Sequence, residues 1–267
     1  MSERIKKKFE TEGKKLITFT TGGDPDLNTS IEILKTIINN GVDIIEIGMP
    51  FSDPMADGPT IQESSVRSLS NGTKINDIFE IVMNIREYNN EIPIILMGYY
   101  NSVFSLGVDN FTAKCAEVGV DGLIIVDLQP EEDSELFTKS RQRDIDLIRL
   151  ITPTTDDKRL ITILSNASGF LYYVTVTGIT GQNSANIEDL KKSINTIKSS
   201  TKLPIVAGFG IKNKNDVEQI STFTDGVVVG SSIINIIKDN LNDKNKMINE
   251  INDFTKDLKE GIKEWIG

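Results

Sequence analysis

The sequence contains no histidine, one cysteine and one tryptophan among 267 residues. Without His, the side chain that most often acts as general base and metal ligand near neutral pH is missing. With Cys115 as the sole cysteine, an internal disulfide is impossible and a zinc site of Cys and His ligands is excluded. Cys115 falls in an expected helix, Asn110–Val118, and reads as a buried structural thiol rather than a nucleophile. Positive charge is also scarce. Lys and Arg number 29 against 39 Asp and Glu, a formal net charge of −10, which argues against the basic face that nucleic acid requires. No apolar run approaches the ~20 residues of a membrane span. Met1–Phe9 is charged and lacks the apolar core of a signal peptide, so a reducing, cytoplasmic setting is expected. Acid–base chemistry is left to Asp, Glu, Tyr and Lys. An anionic substrate would have to be held by backbone N–H groups and helix N-termini rather than by a positive field.

What is present is a core. Hydrophobic residues make up 38% of the chain, enough to exclude disorder. Short β-branched runs recur at Leu16–Thr21, Asp43–Gly48, Pro93–Met97, Gly122–Val126, Asp146–Ile151, Phe170–Thr175, Leu203–Ala207 and Gly226–Val229. Several are continuous Ile, Val and Leu, as parallel strands buried on both faces should be. Between them, Ser30–Asn40 and Ile75–Tyr88 carry apolar residues at helical spacing. Further helices are expected at Glu131–Arg143, Asp156–Asn166, Ile187–Ser199 and Lys214–Phe223. Eight alternating units predict a (βα)8 TIM barrel, an α/β fold that takes about 250 residues as one domain, here residues 1–267. The alternative is an open doubly wound sheet. Its glycine fingerprint after the first strand is absent from Thr20-Thr21-Gly22-Gly23-Asp24-Pro25. Glu3–Thr11 is expected as an extra helix plugging the barrel bottom. Lys246–Ile266 is expected as a closing helix with Ile251, Phe254, Leu258, Ile262 and Trp265 inward.

In barrels the chemistry sits at the C-terminal ends of the strands. In the second strand, alternation puts Ile44, Glu46 and Gly48 on one face. A carboxylate among isoleucines is either ion-paired or functional, because unpaired burial is costly. The strand leads into an expected loop, Met49–Gln62, rich in proline and carrying Asp57. Asp-Gly-Pro forms turns by itself; what singles out Asp57 is its place after a strand that already bears an acid. Glycine-rich turns follow three late strands, at Gly178–Gly181, Gly208–Ile211 and Gly230–Ser232. Such loops, with a short helix at Ser231–Lys238, match the phosphate site that barrels build after their last strands.

Glu46-Ile47-Gly48-Met49-Pro50-Phe51-Ser52-Asp53-Pro54-Met55-Ala56-Asp57-Gly58-Pro59-Thr60-Ile61-Gln62 closely resembles the signature of the tryptophan synthase α subunit family. The likeness continues through Gly23-Asp24-Pro25, Tyr99–Phe104, Gly178–Gly181, Gly208–Ile211 and Gly230–Ser231, in the family's order. The resemblance implies that Glu46 and Asp57 are catalytic, with Asp57 contacting the indole nitrogen. It implies Phe19 and Tyr99 as lining of the indole pocket and Tyr172 close to the glutamate. Gly181, Gly210, Gly230 and Ser231 would hold phosphate, and Thr180 would lie on a mobile loop, Thr177–Asp189, that closes over substrate. Two positions depart from the pattern: Val176, where many members carry Arg, and Gln129, where proline is usual.

The activity implied is retro-aldol cleavage of indole-3-glycerol phosphate to indole and glyceraldehyde 3-phosphate, a lyase reaction in tryptophan biosynthesis. The resemblance further implies an α2β2 complex with a β subunit. It implies no cofactor for this chain, since pyridoxal phosphate belongs to the β partner. Asp57 is expected to stay ionised in a polar loop while Glu46, in an apolar setting, has a raised pKa. Phe51 and Met55 on the Pro50–Pro59 loop either meet the partner or pack on the barrel. Competing readings are a free-standing indole-3-glycerol phosphate lyase, another phosphate-binding barrel such as an isomerase, and a non-catalytic regulatory barrel.

Overall fold

Runs of Ile, Val and Leu form parallel strands, and amphipathic segments between them form helices, in a computed structural model that describes residues 2–174, 184–208 and 210–263. The strands are β1 Lys15–Thr21, β2 Ile44–Gly48, β3 Ile94–Gly98, β4 Gly122–Ile125, β5 Asp146–Leu147, β6 Arg149–Ile151, β7 Leu171–Val174, β8 Ile205–Gly208 and β9 Gly226–Val229. Each neighbouring pair is parallel, in the order β5-β4-β3-β2-β1-β9-β8-β7-β6. The first and last members of that order are two halves of the single strand expected at Asp146–Ile151. They are interrupted at Ile148, whose N–H donates to the Leu123 carbonyl at 3.0 Å. The chain itself therefore closes the ring, and the architecture is the expected (βα)8 barrel.

Twelve helices occur among the described residues: α1 Glu3–Glu10, α2 Leu27–Asn39, α3 Pro59–Ser70, α4 Ile75–Tyr88, α5 Tyr100–Leu106, α6 Val108–Val118, α7 Ser134–Arg141, α8 Asp157–Ser165, α9 Ser184–Ser200, α10 Lys214–Ser221, α11 Ser231–Asp239 and α12 Lys244–Lys263. Several bounds differ from expectation. The Met49–Gln62 segment is a loop only as far as Gly58, because Pro59 takes the first position of α3, where its missing N–H is no loss. Helix α2 starts before Ser30 because Asp26 caps it, accepting from the Thr29 N–H at 2.9 Å. Helix α9 already begins at Ser184, so Ser184–Asp189 is helical and not loop. Trp265 lies outside the described residues.

Strand alternation separates two layers. Ile17, Ile44, Ile95, Ile124, Ile148, Phe170, Val206 and Val228 fill the barrel interior. Their neighbours, such as Leu16, Ile45, Ile47, Leu96 and Leu123, face the surrounding helices. Each such buried side chain contributes about 1.5–3 kcal/mol. Helix α1 closes the N-terminal end of the barrel by placing Ile5 into the interior layer. Its anchors are polar: Ser2 Oγ donates to Asp121 at 2.7 Å, the Ser2 N–H to Asp146 at 2.9 Å, and Arg4 pairs with Asp121 at 3.2 Å. At the opposite end, the C-terminal ends of the strands open onto a cleft.

Candidate active site

One step above Ile44 on the interior face of β2 stands Glu46, with no solvent exposure. Its register partners are Phe19 on β1 and Ile95 on β3. Neither carboxyl oxygen has a hydrogen-bond partner among the described residues, and no described cation pairs with it. The ion-paired alternative for Glu46 is therefore not what the described residues form. Loss of water contact alone pushes its pKa up to about 8.

Two strand-end glycines shape the surroundings of Glu46. A Cβ on Gly208 would fall 2.6 Å from the Tyr172 hydroxyl, so the bare backbone there admits the phenol. Tyr172 is half-buried on β7; burial and the nearby Glu46 charge both hold its hydroxyl proton on. A Cβ on Gly48 would fall 2.6 Å from the tip of the Phe19 ring. Gly48 thus leaves the room that Phe19 occupies beside Glu46.

Asp57 approaches from the loop between β2 and α3. Its N–H donates to the Pro54 carbonyl at 3.0 Å, and its own carbonyl accepts from Gln62 Nε2 at 2.9 Å. The Tyr99 hydroxyl donates to Asp57 Oδ2 at 3.1 Å and accepts from the Ala56 N–H at 2.9 Å. The Phe51 ring stacks on Tyr99 at 5.2 Å. Burial raises the Asp57 pKa and the Tyr99 bond opposes the rise. This corrects the expectation of a simply polar loop: both acids are shifted upward. They differ in that Asp57 is half-buried with a donor, whereas Glu46 is fully buried with none. Phe19, Gly48, Asp57, Met97, Tyr99 and Val126 line one cleft. Met97 and Val126 were not among the expected site residues, although strand parity places Met97 on the same face as Ile95.

The two described glycine turns, after β8 and β9, meet beside this cleft. Gly210 has φ +70°, the left-handed region that suits glycine. Ser232 Oγ donates to the Ile211 carbonyl at 2.7 Å, which ties the turn after β8 to the start of α11. Gly230 precedes α11, and Ser231 opens it. The Ser231 and Ser232 N–H groups come before any acceptor within the helix, whereas the Ile233 N–H donates to the Gly230 carbonyl at 2.9 Å. A Cβ on Gly230 would lie 3.2 Å from the Phe19 Cβ, so this end adjoins the aromatic end of the cleft. Thr180, Gly181, Gly178 and Val176 lie outside the described residues. Gln129 accepts from Arg159 at 3.3 Å, and Met55 is 85% exposed at the tip of the β2–α3 loop.

A larger cavity, about 1020 Å³, is elsewhere. It lies at the plugged end, between Phe9, Lys14, Lys15, Leu203, Asp225 and Lys259. Lys15 is spent on the carbonyls of Thr11, Glu12 and Gly13, and Lys259 on Asp43. These two cations serve the fold, and the cleft at the strand C-termini, which holds the expected site residues Phe19, Asp57 and Tyr99, is the candidate site. Among the described residues, no three Asp, Glu or Cys side chains cluster as a metal site. No described helix is long and apolar enough to cross a membrane.

The family model described as tryptophan synthase alpha chain matches residues 5–263. A crystal structure of tryptophan synthase subunit alpha from Legionella pneumophila is 33% identical, with 99% of each chain covered and a TM-score of 0.91. A structure from Aquifex aeolicus VF5 is 36% identical over 98% of this chain and 99% of that one, with a TM-score of 0.88. A tryptophan synthase structure from Mycobacterium tuberculosis is 28% identical over 98% of this chain and 99% of that one, at 0.89. On this agreement of sequence and fold along nearly its whole length, the chain belongs to the tryptophan synthase alpha chain family.

Proposed function

We propose that this chain cleaves indole-3-glycerol phosphate into indole and glyceraldehyde 3-phosphate, as the α subunit of a tryptophan synthase. The observation that carries the reading is Glu46, a fully buried acid without a counter-charge among the described residues, held about 8 in pKa below the rim of the cleft that Asp57 enters. A buried, unpaired carboxyl is unfavourable for folding. Its cost is explained if the proton it retains near neutral pH is used in the reaction.

The reaction needs indole C3 to become a leaving group. Glu46, protonated, donates to C3 and leaves the ring as a cation. The bond from C3 to the glycerol chain then breaks, and its electron pair restores the neutral indole. The adjacent hydroxyl becomes the aldehyde and returns a proton to the Glu46 carboxylate, so charge and protons balance. Asp57, oriented by Tyr99, accepts the ring N–H and stabilises the cation as it forms. The Gly210 turn and the first turn of α11 hold the phosphate, and Phe19 lies against the ring.

A β subunit is the partner, and pyridoxal phosphate is the partner's cofactor. The exposed Met55 and the proline-stiffened loop that carries it form the contact, in a cytoplasmic α2β2 complex. Phe51 is committed to Tyr99 and acts inward. The test is to mix the purified chain with indole-3-glycerol phosphate and follow indole, with and without a β subunit. Slow release, accelerated by the partner, is expected. Fast release that a β subunit leaves unchanged would instead make the chain a free-standing lyase, and no release at all would make it a binding subunit.

A further inference from the structure

Helix α3, whose first turn adjoins Asp57, is held on the barrel in an unusual way. Its buried residues are Ser64, Ser65 and Ser68, not an apolar stripe. Hydroxyls bring little hydrophobic stabilisation, so the register of this helix depends on directional bonds. Those bonds converge on one turn at the end of β1, Thr21–Pro25. Ser64 and Thr21 share a hydroxyl–hydroxyl bond of 2.6 Å. Ser68 Oγ donates to the Gly22 carbonyl at 2.7 Å. Arg67 grips Asp24 with two parallel bonds of 2.8 and 2.7 Å, and Asn71 donates to the Pro25 carbonyl. The Asp24 side chain has no solvent exposure. Burial raises its pKa, and the Arg67 guanidinium opposes that rise.

The other end of the same helix is bonded to Asp57. Gln62 holds the Asp57 carbonyl through its side chain, and its own N–H donates to Gly58 at 3.0 Å. At 1.5 Å per residue, Arg67 stands roughly 15 Å from Asp57 along the chain. Arg67 is not among the residues lining the cleft, and its guanidinium is committed to Asp24. Its planar two-point grip fixes orientation as well as distance, which a lysine ammonium cannot do.

We propose that the Asp24–Arg67 ion pair, with the Ser64 and Ser68 bonds beside it, sets the register of α3 and so the position of the Asp57 carboxylate over the cleft. Arg67 is a positioning residue for the reaction, acting through Asp57. The inference rests on the role given to Asp57 above.

The test is a four-way comparison of Arg67→Lys in the Asp57 and Asp57→Asn backgrounds, measuring kcat, KM and the thermal midpoint. With Asp57 present, kcat falls about tenfold while KM stays within about twofold, as expected when one catalytic group is displaced by a fraction of an ångström. With Asp57→Asn, the kcat effect shrinks to less than about twofold, because the group being positioned is already disabled. The drop in thermal midpoint is the same in both backgrounds. A merely structural pair would change the midpoint and leave kcat alone, or lower kcat equally in both backgrounds; either result overturns the proposal. If Arg67→Lys gives no folded protein, Ser68→Ala, which breaks only the bond to Gly22, goes through the same comparison with about threefold in place of tenfold. Should Asp57→Asn itself keep full activity, the reading of Asp57 falls and the proposal with it. Equal losses alongside an impaired Asp57→Asn count against the proposal alone.

Discussion

Replacing Glu46 by Gln keeps the shape of a fully buried side chain and removes its ability to ionise. In the folded protein the carboxyl titrates at about 8, against an ordinary 4.5. At about 1.4 kcal/mol per pH unit, that difference corresponds to about 5 kcal/mol. Its sign follows from which state holds the proton. Below pH 4.5 the carboxyl is protonated in both folded and unfolded chains, and the two proteins differ little. Between 4.5 and 8 the unfolded chain gives up its proton while the folded one keeps it, so wild-type stability falls as pH rises. Above 8 the full penalty applies. Glu46→Gln escapes it, so its stability advantage should grow by about 4 kcal/mol between pH 5 and pH 9. Urea unfolding at a series of pH values measures this directly, with the denaturant slope unchanged. The same variant should lose the cleavage reaction, having no proton to give. Stability curves that run parallel from pH 5 to 9 would show that Glu46 is ionised in the folded state, and the proton-donor role would fall with them.

Asp57→Asn should lower kcat by about 10²–10³ with little change in folding, the usual cost of losing one stabiliser of developing charge; steady-state indole release reads it, and a loss of only a few-fold refutes the role. Gly210→Ala and Gly230→Ala should both raise KM and weaken competition by inorganic phosphate. They should differ in stability: Gly210 has φ +70° and would cost about 1–2 kcal/mol as alanine, whereas Gly230, at φ −126°, needs only a small shift of Phe19. Met55→Ser should weaken β-subunit binding in a titration while leaving the rate of the isolated chain within about twofold; unchanged affinity moves the partner surface elsewhere.

Periodicity made some parts of this molecule legible and left others hidden. Helix α4 could be read because Ile78, Phe79, Val82 and Ile85 form a buried stripe at helical spacing. Helix α3 could not, because its inward face is serine and its fixings are partners distant in sequence, Thr21, Gly22 and Asp24. Strand parity put Glu46 inside the barrel. That no described cation meets it is a fact of three-dimensional packing, invisible in a string of residues. The same holds for the Tyr99–Asp57 bond and for Phe51, which turns inward to Tyr99 while Met55 on the same loop turns out. The break at Ile148 leaves no mark in Asp146–Ile151, which reads as one unbroken strand; it arises because the ring must close there between β4 and β7.

The order of strands around the barrel bears on how the chain can fold. Going round the ring, every strand pairs with its neighbours in sequence except at one seam, where Lys15–Thr18 of β1 meets Gly226–Val229 of β9. Seven βα crossovers therefore join strands that are consecutive in sequence, and the entropic cost of closing them grows only slowly with their length. The remaining pairing joins remote parts of the chain, as do the contacts of α2 with α12 and of α3 with α11, so closure of this seam is expected late in folding. Phe19 projects from β1 and Gly230 follows β9. One wall of the candidate cleft is thus assembled across that seam, and a chain with the seam still open would lack the contact between Phe19 and the start of α11.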